Sequence, residues 1–258
     1  MTAESAAAVG SAELVSYLDQ FLRVSELPDD PRALNGLQVE SGRPVRRLAA
    51  AVDACQVVID RAAAVGANML LVHHGLFWGG VEPLTGRHGR RVRALVEAEM
   101  ALYSAHIPLD CHPEVGNNAV LAAELGVREP RPFGAYDGIA IGVAGSLNLP
   151  LNELADRLEG RLGQAPVVIG AGPTTAGVVA IVTGAGSEFL REARDSGVDT
   201  LITGEAPHHA YLDAEEWGIN LVLGGHYATE TVGVQALARH LEQRYGLPWE
   251  FLDHPTGL

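Results

Sequence analysis

Apolar and polar positions along this chain fall into blocks of two different periods. "RLAAAVDA" (47–54), "NMLLVHH" (68–74) and "ALYSAH" (101–106) are short, nearly continuous apolar runs, the pattern of strands buried on both faces. Between them, "CQVVIDRAAAVGA" (55–67) and "RHGRRVRALVEAEM" (87–100) carry apolar residues at helical spacing. The succession returns as strands "AGVVAIVTGAG" (176–186), "DTLITGE" (199–205) and "INLVLGGH" (219–226), separated by the helix patterns "SEFLREARDSGV" and "HHAYLDAEEWG". Strands and helices in alternation predict parallel β-α-β units. A first helix is expected over "SAELVSYLDQFL", capped by Ser11 and preceded by a frayed Ala-rich tail. The Gly- and Pro-rich middle, residues 127–176, predicts one helix, "PLNELADRLEGRLG", and opens a second lobe.

The two series match each other. "VDACQVVIDRAAAVGANMLLVHH" lies over "VTGAGSEFLREARDSGVDTLITGE", with Gly66 over Gly197 and His73–His74 over Gly204–Glu205. "LYSAHIPLD" lies over "LVLGGHYATE", which sets His106 over His226, each with a carboxylate four residues on, Asp110 and Glu230. A helix pattern follows each, "NNAVLAAELG" and "VGVQALARHLEQRYG". An internal duplication accounts for this and predicts an α/β fold of two similar lobes. Residues 1–127 with 232–258 form the first, 128–231 form the second, and no extra domain is inserted.

Ligands gather beyond the carboxyl ends of parallel strands, and here all four strand ends in the two series carry His or a carboxylate. His73, His74, Asp110, His226 and Glu230 offer three imidazoles and two carboxylates, more than one catalytic ion needs. They suit two ions about 3.5–4 Å apart, which carboxylates can bridge. Imidazole admits Zn, Fe and Ni, and carboxylates admit Mn as well. His106, His112, Glu205, His208 and His209 stand in reserve. The plainer alternatives are a helix-start interaction for Glu230, an N-cap role for Asp110, and one core histidine beside one solvated histidine at 73–74.

Composition narrows the chemistry. The 258 residues carry a formal charge of −14, which argues against binding a nucleic-acid backbone and is compatible with cations. All 18 positive side chains are arginine, which excludes a P-loop lysine and a Schiff-base lysine. No run approaches the ~20 apolar residues of a membrane span, and the start lacks a signal-peptide pattern, so a cytoplasmic protein is expected. Two cysteines, Cys55 and Cys111, make neither a disulfide framework nor a zinc ribbon. "TGAGSEF" (183–189) puts Phe189 where a dinucleotide fingerprint needs its third glycine, so it reads as a tight turn. Cys111, between Asp110 and His112, reads as a small packed residue rather than a nucleophile. His88, His240 and His254 are expected in solvent, and Trp78, Trp217 and Trp249 in packing.

With these stretches in view, the chain resembles the NIF-three-like family, whose members are also called GTP cyclohydrolase I type 2 homologues or dinuclear metal centre proteins. "LNGLQVE", "VDACQVVIDRAAAVGANMLLVHHGLFW", "LYSAHIPLDCHPEVGNNAVLAAELG" and "LITGEAPHHA…LVLGGHYATE" are similar to that family's ordered motifs. The resemblance implies metal ligands at His73, His74, Asp110, His226 and Glu230, with two divalent ions per chain in a cleft between the lobes. It implies a homohexamer, a trimer of dimers, and a hydrolase that opens the imidazole ring of a purine nucleotide such as GTP. His106, Glu205 and His208 are then the candidates for moving a proton. A metal-binding scaffold without turnover is the alternative. Two departures stand out: Asn117–Asn118 where relatives commonly have Asn-Asp, and the absence of lysine.

Overall fold

Three apolar strands in a row, each followed by a helix, form the centre of each of two sheets in the computed structural model, which describes residues 8–80 and 82–257. The Ala-rich start expected to fray lies outside the described residues. Packing divides the chain into two units, residues 1–109 with 234–254 and residues 110–233 with 255–258.

The first unit opens with α1 (Ser11–Phe21), followed by β1 (Gly36–Val39), β2 (Leu48–Asp53), α2 (Gln56–Ala64), β3 (Met69–His74), α3 (Gly86–Glu97), β4 (Ala101–Ser104) and the single turn α4 (Ile107–Asp110). Its sheet runs β1-β4-β3-β2 and ends on the late strand β11 (Trp249–Phe251). β4, β3, β2 and β11 are parallel, and β1 lies antiparallel at the edge. Leu70, Val72, Leu102, Val58, Ile59 and Leu95 fill the core between sheet and helices.

The second unit contains α5 (Asn117–Leu125), β5 (Arg128–Tyr136), β6 (Ile139–Pro150), α6 (Leu151–Leu162), β7 (Val167–Ile169) and β8 (Thr175–Val182). It continues through a 3₁₀ turn at Gly186–Phe189, α7 (Leu190–Asp195), β9 (Thr200–Thr203), α8 (His208–Trp217), β10 (Asn220–Leu223) and the start of α9 (His226–Tyr245). The sheet order is β5-β6-β8-β9-β10-β7, with β8, β9 and β10 parallel and β7 antiparallel at the edge.

The internal repeat is therefore visible in topology. β1-β2-β3-β4 and β7-β8-β9-β10 each place the opening strand antiparallel beside the last strand of a parallel triplet. Local chemistry repeats too. Gly66 and Gly197 both end a helix at φ +73°, and the polar residue two positions later holds the backbone that begins the triplet. Asn68 Oδ1 accepts the Arg46 and Arg47 amides at 2.9 and 3.2 Å. Asp199 accepts the amides of Gly177 and Val178 at 3.1 and 2.8 Å.

Several expectations change. The division falls at 109/110 rather than 127, because α5 buries Leu121, Ala122 and Leu125 in one core with Leu154, Val179 and Ile181 of the second unit. Gly10 occupies the cap position of α1, and Ser11 is its first helical residue without a side-chain cap bond. The Pro-rich stretch 128–150 is a long antiparallel hairpin, β5–β6. α9 begins at His226 rather than near Val232. His88 is 4% exposed and meets Phe77 edge-on, while His240 stacks on Phe21 with ring centres 4.3 Å apart; neither stands in open solvent.

Asp199→Ala leaves two strand-start amides without their acceptor. The variant is expected to lose about 1–3 kcal/mol of stability by urea unfolding, and Asn68→Ala a comparable amount. No loss in either would mean that these equivalent posts do not hold the triplets.

Candidate metal centre

β3 ends on two histidines, and a regular strand would send their rings to opposite faces. The structure brings them together instead: the ring centres of His73 and His74 lie 4.7 Å apart. The chain turns at Gly75, where an added Cβ would collide with the Gln38 amide group. Gln38 Oε1 accepts the Leu76 amide at 2.8 Å and braces that turn. The glutamine of "LNGLQVE" therefore sets the exit from β3.

His73 is fully buried, and its Nδ1 donates to the Ala105 carbonyl at 2.9 Å. His74 Nδ1 donates to Asp53 Oδ1 at 2.9 Å, at the end of the neighbouring strand β2. His106, just beyond β4, donates from Nδ1 to Asp29 Oδ1 at 2.6 Å. A neutral imidazole that donates from Nδ1 carries its lone pair on Nε2, the arrangement that orients metal-binding histidines. One ligand nitrogen from each of the three lies within 4.8 Å of the others. Trp78 sets its ring edge-to-face on His106, at 4.9 Å between centres, and on His74 at 5.8 Å.

Asp29 is the residue that sequence reasoning missed. Its carboxylate takes the His106 ring, the Ile107 amide at 3.0 Å and the Asn35 side chain at 2.7 Å. Burial opposes ionisation of Asp29, yet the hydrogen bonds from His106 and Asn35 hold its carboxyl below the usual carboxylate range. Asn35 Oδ1 in turn accepts the His106 amide at 2.8 Å. Asparagine in "LNGLQVE" was the available signal; "SELPDDPR" reads only as an acidic turn.

The second unit presents its own donors. His226 opens α9, with Nδ1 3.1 Å from Glu205 Oε1 and Nε2 3.2 Å from Glu230 Oε1 one turn on. Glu230 is 3% exposed and lies against Gly184, which has φ +65° and no room for a Cβ. The hydrogen bond to Glu230 raises His226 most, burial works against it, and Glu205 adds to the rise, so the ring is pushed up to about 9. Without a metal, His226 is an imidazolium held between two carboxylates.

Asp110 Oδ1 accepts Asn117 Nδ2 at 2.8 Å. Asn117 Oδ1 accepts the Gly233 amide at 2.7 Å, within α9. Asn118 Oδ1 takes the Thr183 amide at 2.8 Å, and its Nδ2 donates to the Ile141 carbonyl at 2.6 Å. An aspartate at 118 would set a carboxylate oxygen against that carbonyl, so this asparagine suits its own surroundings. His208 is exposed on the first turn of α8 and makes no side-chain hydrogen bond or ion pair among the described residues.

Buried nitrogen and carboxylate donors at the ends of repeated parallel strands define a two-sheet α/β protein with a possible metal centre. Residues 10–256 match the model of the Duf34/NIF3 (NGG1p interacting factor 3) family, and the chain belongs to that family. It is 46% identical over 252 residues to the GTP cyclohydrolase 1 type 2 homolog of Deinococcus radiodurans, covering 97% of this chain and 95% of that one. The homolog of the same name in Pyrococcus abyssi is 45% identical over 249 residues, covering 95% and 98%. Among solved structures, TTHA1606 from Thermus thermophilus superposes with a TM-score of 0.90 at 46% identity, covering 97% of this chain and 100% of that chain. Among the described residues no helix is long and apolar enough to cross a membrane.

Nuclear magnetic resonance titration of chelator-treated protein should place the His226 midpoint near 9. Glu230→Gln should move it down toward the ordinary value of about 6.5. A folded value above the unfolded one stabilises the metal-free protein fully below pH about 6.5, and that contribution is lost as pH rises through the folded value. An unchanged midpoint in Glu230→Gln would refute this account of the pair.

Proposed function

We propose that the protein is a dinuclear metal-dependent hydrolase, with two divalent ions held by His73 and His74 from one unit and Asp110, His226 and Glu230 from the other. The observation that carries this reading is the set of Nδ1 bonds in the first unit, which commits His73 and His74 to presenting Nε2. Buried Glu230 and the cation it already holds on His226 fit the same chemistry, since a site that stabilises imidazolium also stabilises a metal cation. Zn, Fe, Mn and Ni all suit this donor set.

Bound ions would supply Lewis acidity, lowering the pKa of water toward about 7 and taking up negative charge as it develops. The chain's own residues do the rest. His73 and His74 are oriented from behind by Ala105 and Asp53. His106, held by Asp29, offers Nε2 as a proton acceptor near the two ligand rings. Glu205 accepts from His226 Nδ1 and so keeps the Nε2 edge of that ring turned to Glu230. Trp78 covers His74 and His106 and limits water around them. His208 has no role in this reading.

The names of the relatives point to purine imidazole ring opening, and GTP is the first substrate to assay, followed by phosphoesters. A ring of six chains in the cytoplasm is the assembly that the family resemblance supports. Sedimentation at micromolar concentration should give a hexamer; a monomer there would remove the ring from the proposal.

Metal analysis after loading should give close to two ions per chain, and binding at pH 7 should release a proton as His226 gives up its own. Glu230→Gln and Asp110→Asn should each lose at least one ion at equal folded fraction, whereas Glu97→Gln on α3 should keep both. Full occupancy in both site variants would remove the dinuclear site. Two ions without turnover of any substrate would leave a metal-binding scaffold in place of the hydrolase.

A further inference from the structure

A pocket of about 410 Å³ opens within the second unit, between α5 and the β5–β6 hairpin, and Asp110 forms part of its wall. Cys111, Pro132, Ile141 and Val143 line it further, and Arg131 stands at its rim. Apart from Asp110, Cys111 and Arg131, every lining residue is proline, alanine, glycine, valine or isoleucine. Its size falls within the roughly 300–1,000 Å³ of small-molecule sites, as does the pattern of an apolar body with few polar groups.

The rim is built with strain. β5 pairs with β6 at Arg128 and again at Arg131, with a bulge between, and Glu129 in that bulge takes φ +51°. Left-handed backbone at a residue other than glycine costs free energy and persists where the surroundings impose it, often at functional sites. Bulges re-aim the side chains beside them. Here the side chain beside the bulge is Arg131, which is exposed and makes no hydrogen bond or ion pair among the described residues. Several exposed arginines share that state, and Arg131 is the one that lines this pocket.

We infer that this pocket binds the apolar body of a small monoanionic carboxylate, with the carboxylate on Arg131 and the other end directed toward Asp110. The inference goes beyond the hydrolase reading, on which it rests only for the role of Asp110, by assigning a separate ligand pocket beside that residue. A planar or branched hydrocarbon body fits walls that offer it no hydrogen-bond partners. Guanidinium pairs with carboxylate through two parallel hydrogen bonds. Charge selects against larger anions: one arginine balances one negative charge, and the acidic surface repels a triphosphate over its whole approach. The pocket therefore favours a monoanion over GTP.

The test uses 2-naphthoate and its neutral counterpart 2-naphthalenemethanol, titrated by calorimetry into the full-length protein, both metal-loaded and chelator-treated. Naphthoate should bind once per chain and about two- to fivefold tighter than the alcohol, the range of a solvent-exposed ion pair. Arg131→Gln, on an exposed side chain, should abolish that preference while leaving the alcohol unchanged. Ala140→Phe should fill the pocket and weaken both. Naphthoate should also slow alkylation of Cys111 by iodoacetamide and leave Cys55 unaffected, and GTP should do neither. Equal affinity for acid and alcohol, an unchanged preference in Arg131→Gln, or no protection of Cys111 would each overturn the inference. The two readings fail separately. Naphthoate binding with full metal retention in Asp110→Asn supports the pocket and removes the ligand role of Asp110. Two ions per chain without naphthoate binding removes the pocket and keeps the metal centre.

Discussion

The histidines at the ends of β3 and β4 are each supplied with an acceptor for Nδ1, and the first unit is organised around that arrangement. His73, His74 and His106 each commit Nδ1 to an oxygen behind them, from Ala105, Asp53 and Asp29. The commitment fixes three tautomers at once, in rings whose centres lie 4.7, 5.0 and 5.6 Å apart. The surrounding structure follows from it. Gln38 must hold the turn at Gly75 so that successive residues of one strand converge. Asn35 must hold Asp29 so that the carboxylate stays under His106. The edge strand β1 carries Gln38, and Asn35 immediately precedes it, which gives this short strand a positioning task beyond closing the sheet.

The second unit solves a different problem on the same frame. Its strand triplet repeats the first in order, direction and the polar residue that holds its start, yet the end of β9 bears Gly204–Glu205 where β3 bears two histidines. The first repeat thus ends β3 on two imidazoles where the second follows β9 with a carboxylate, Glu205. A carboxylate as buried as Glu230 needs a cation, and His226 provides one from the same helix turn.

The parallel triplets were legible because strands buried on both faces read as apolar runs, and because histidines and carboxylates interrupt those runs only at their ends. The β5–β6 hairpin was not legible: "REPRPFGAY" has the composition of a loop, and only an edge position lets a strand keep its prolines. The start of α9 was hidden for a related reason. "HYATET" shows little apolar period because its buried residues include Thr229 and Glu230, which serve hydrogen bonds and charge rather than hydrophobic packing. His88, in "RHGRRVR", looked solvated from its arginine neighbours, but a helix buries by face rather than by local composition. Asp29 had no periodic or spacing signal at all, since its partner His106 is distant in sequence.

The carboxylates around His226 also explain how that ring is held. Glu205 and Glu230 flank one ring, and its raised pKa keeps a positive charge between them at neutral pH. Gly184 fixes the position of Glu230 beside that ring. With φ +65° and no space for a side chain, it lets Glu230 lie directly against the turn after β8. Asn118 anchors the same turn by accepting the Thr183 amide. The position of Glu230 in the second unit is thus set by backbone contacts and amide hydrogen bonds, and its charge is met by the ring one helical turn before it.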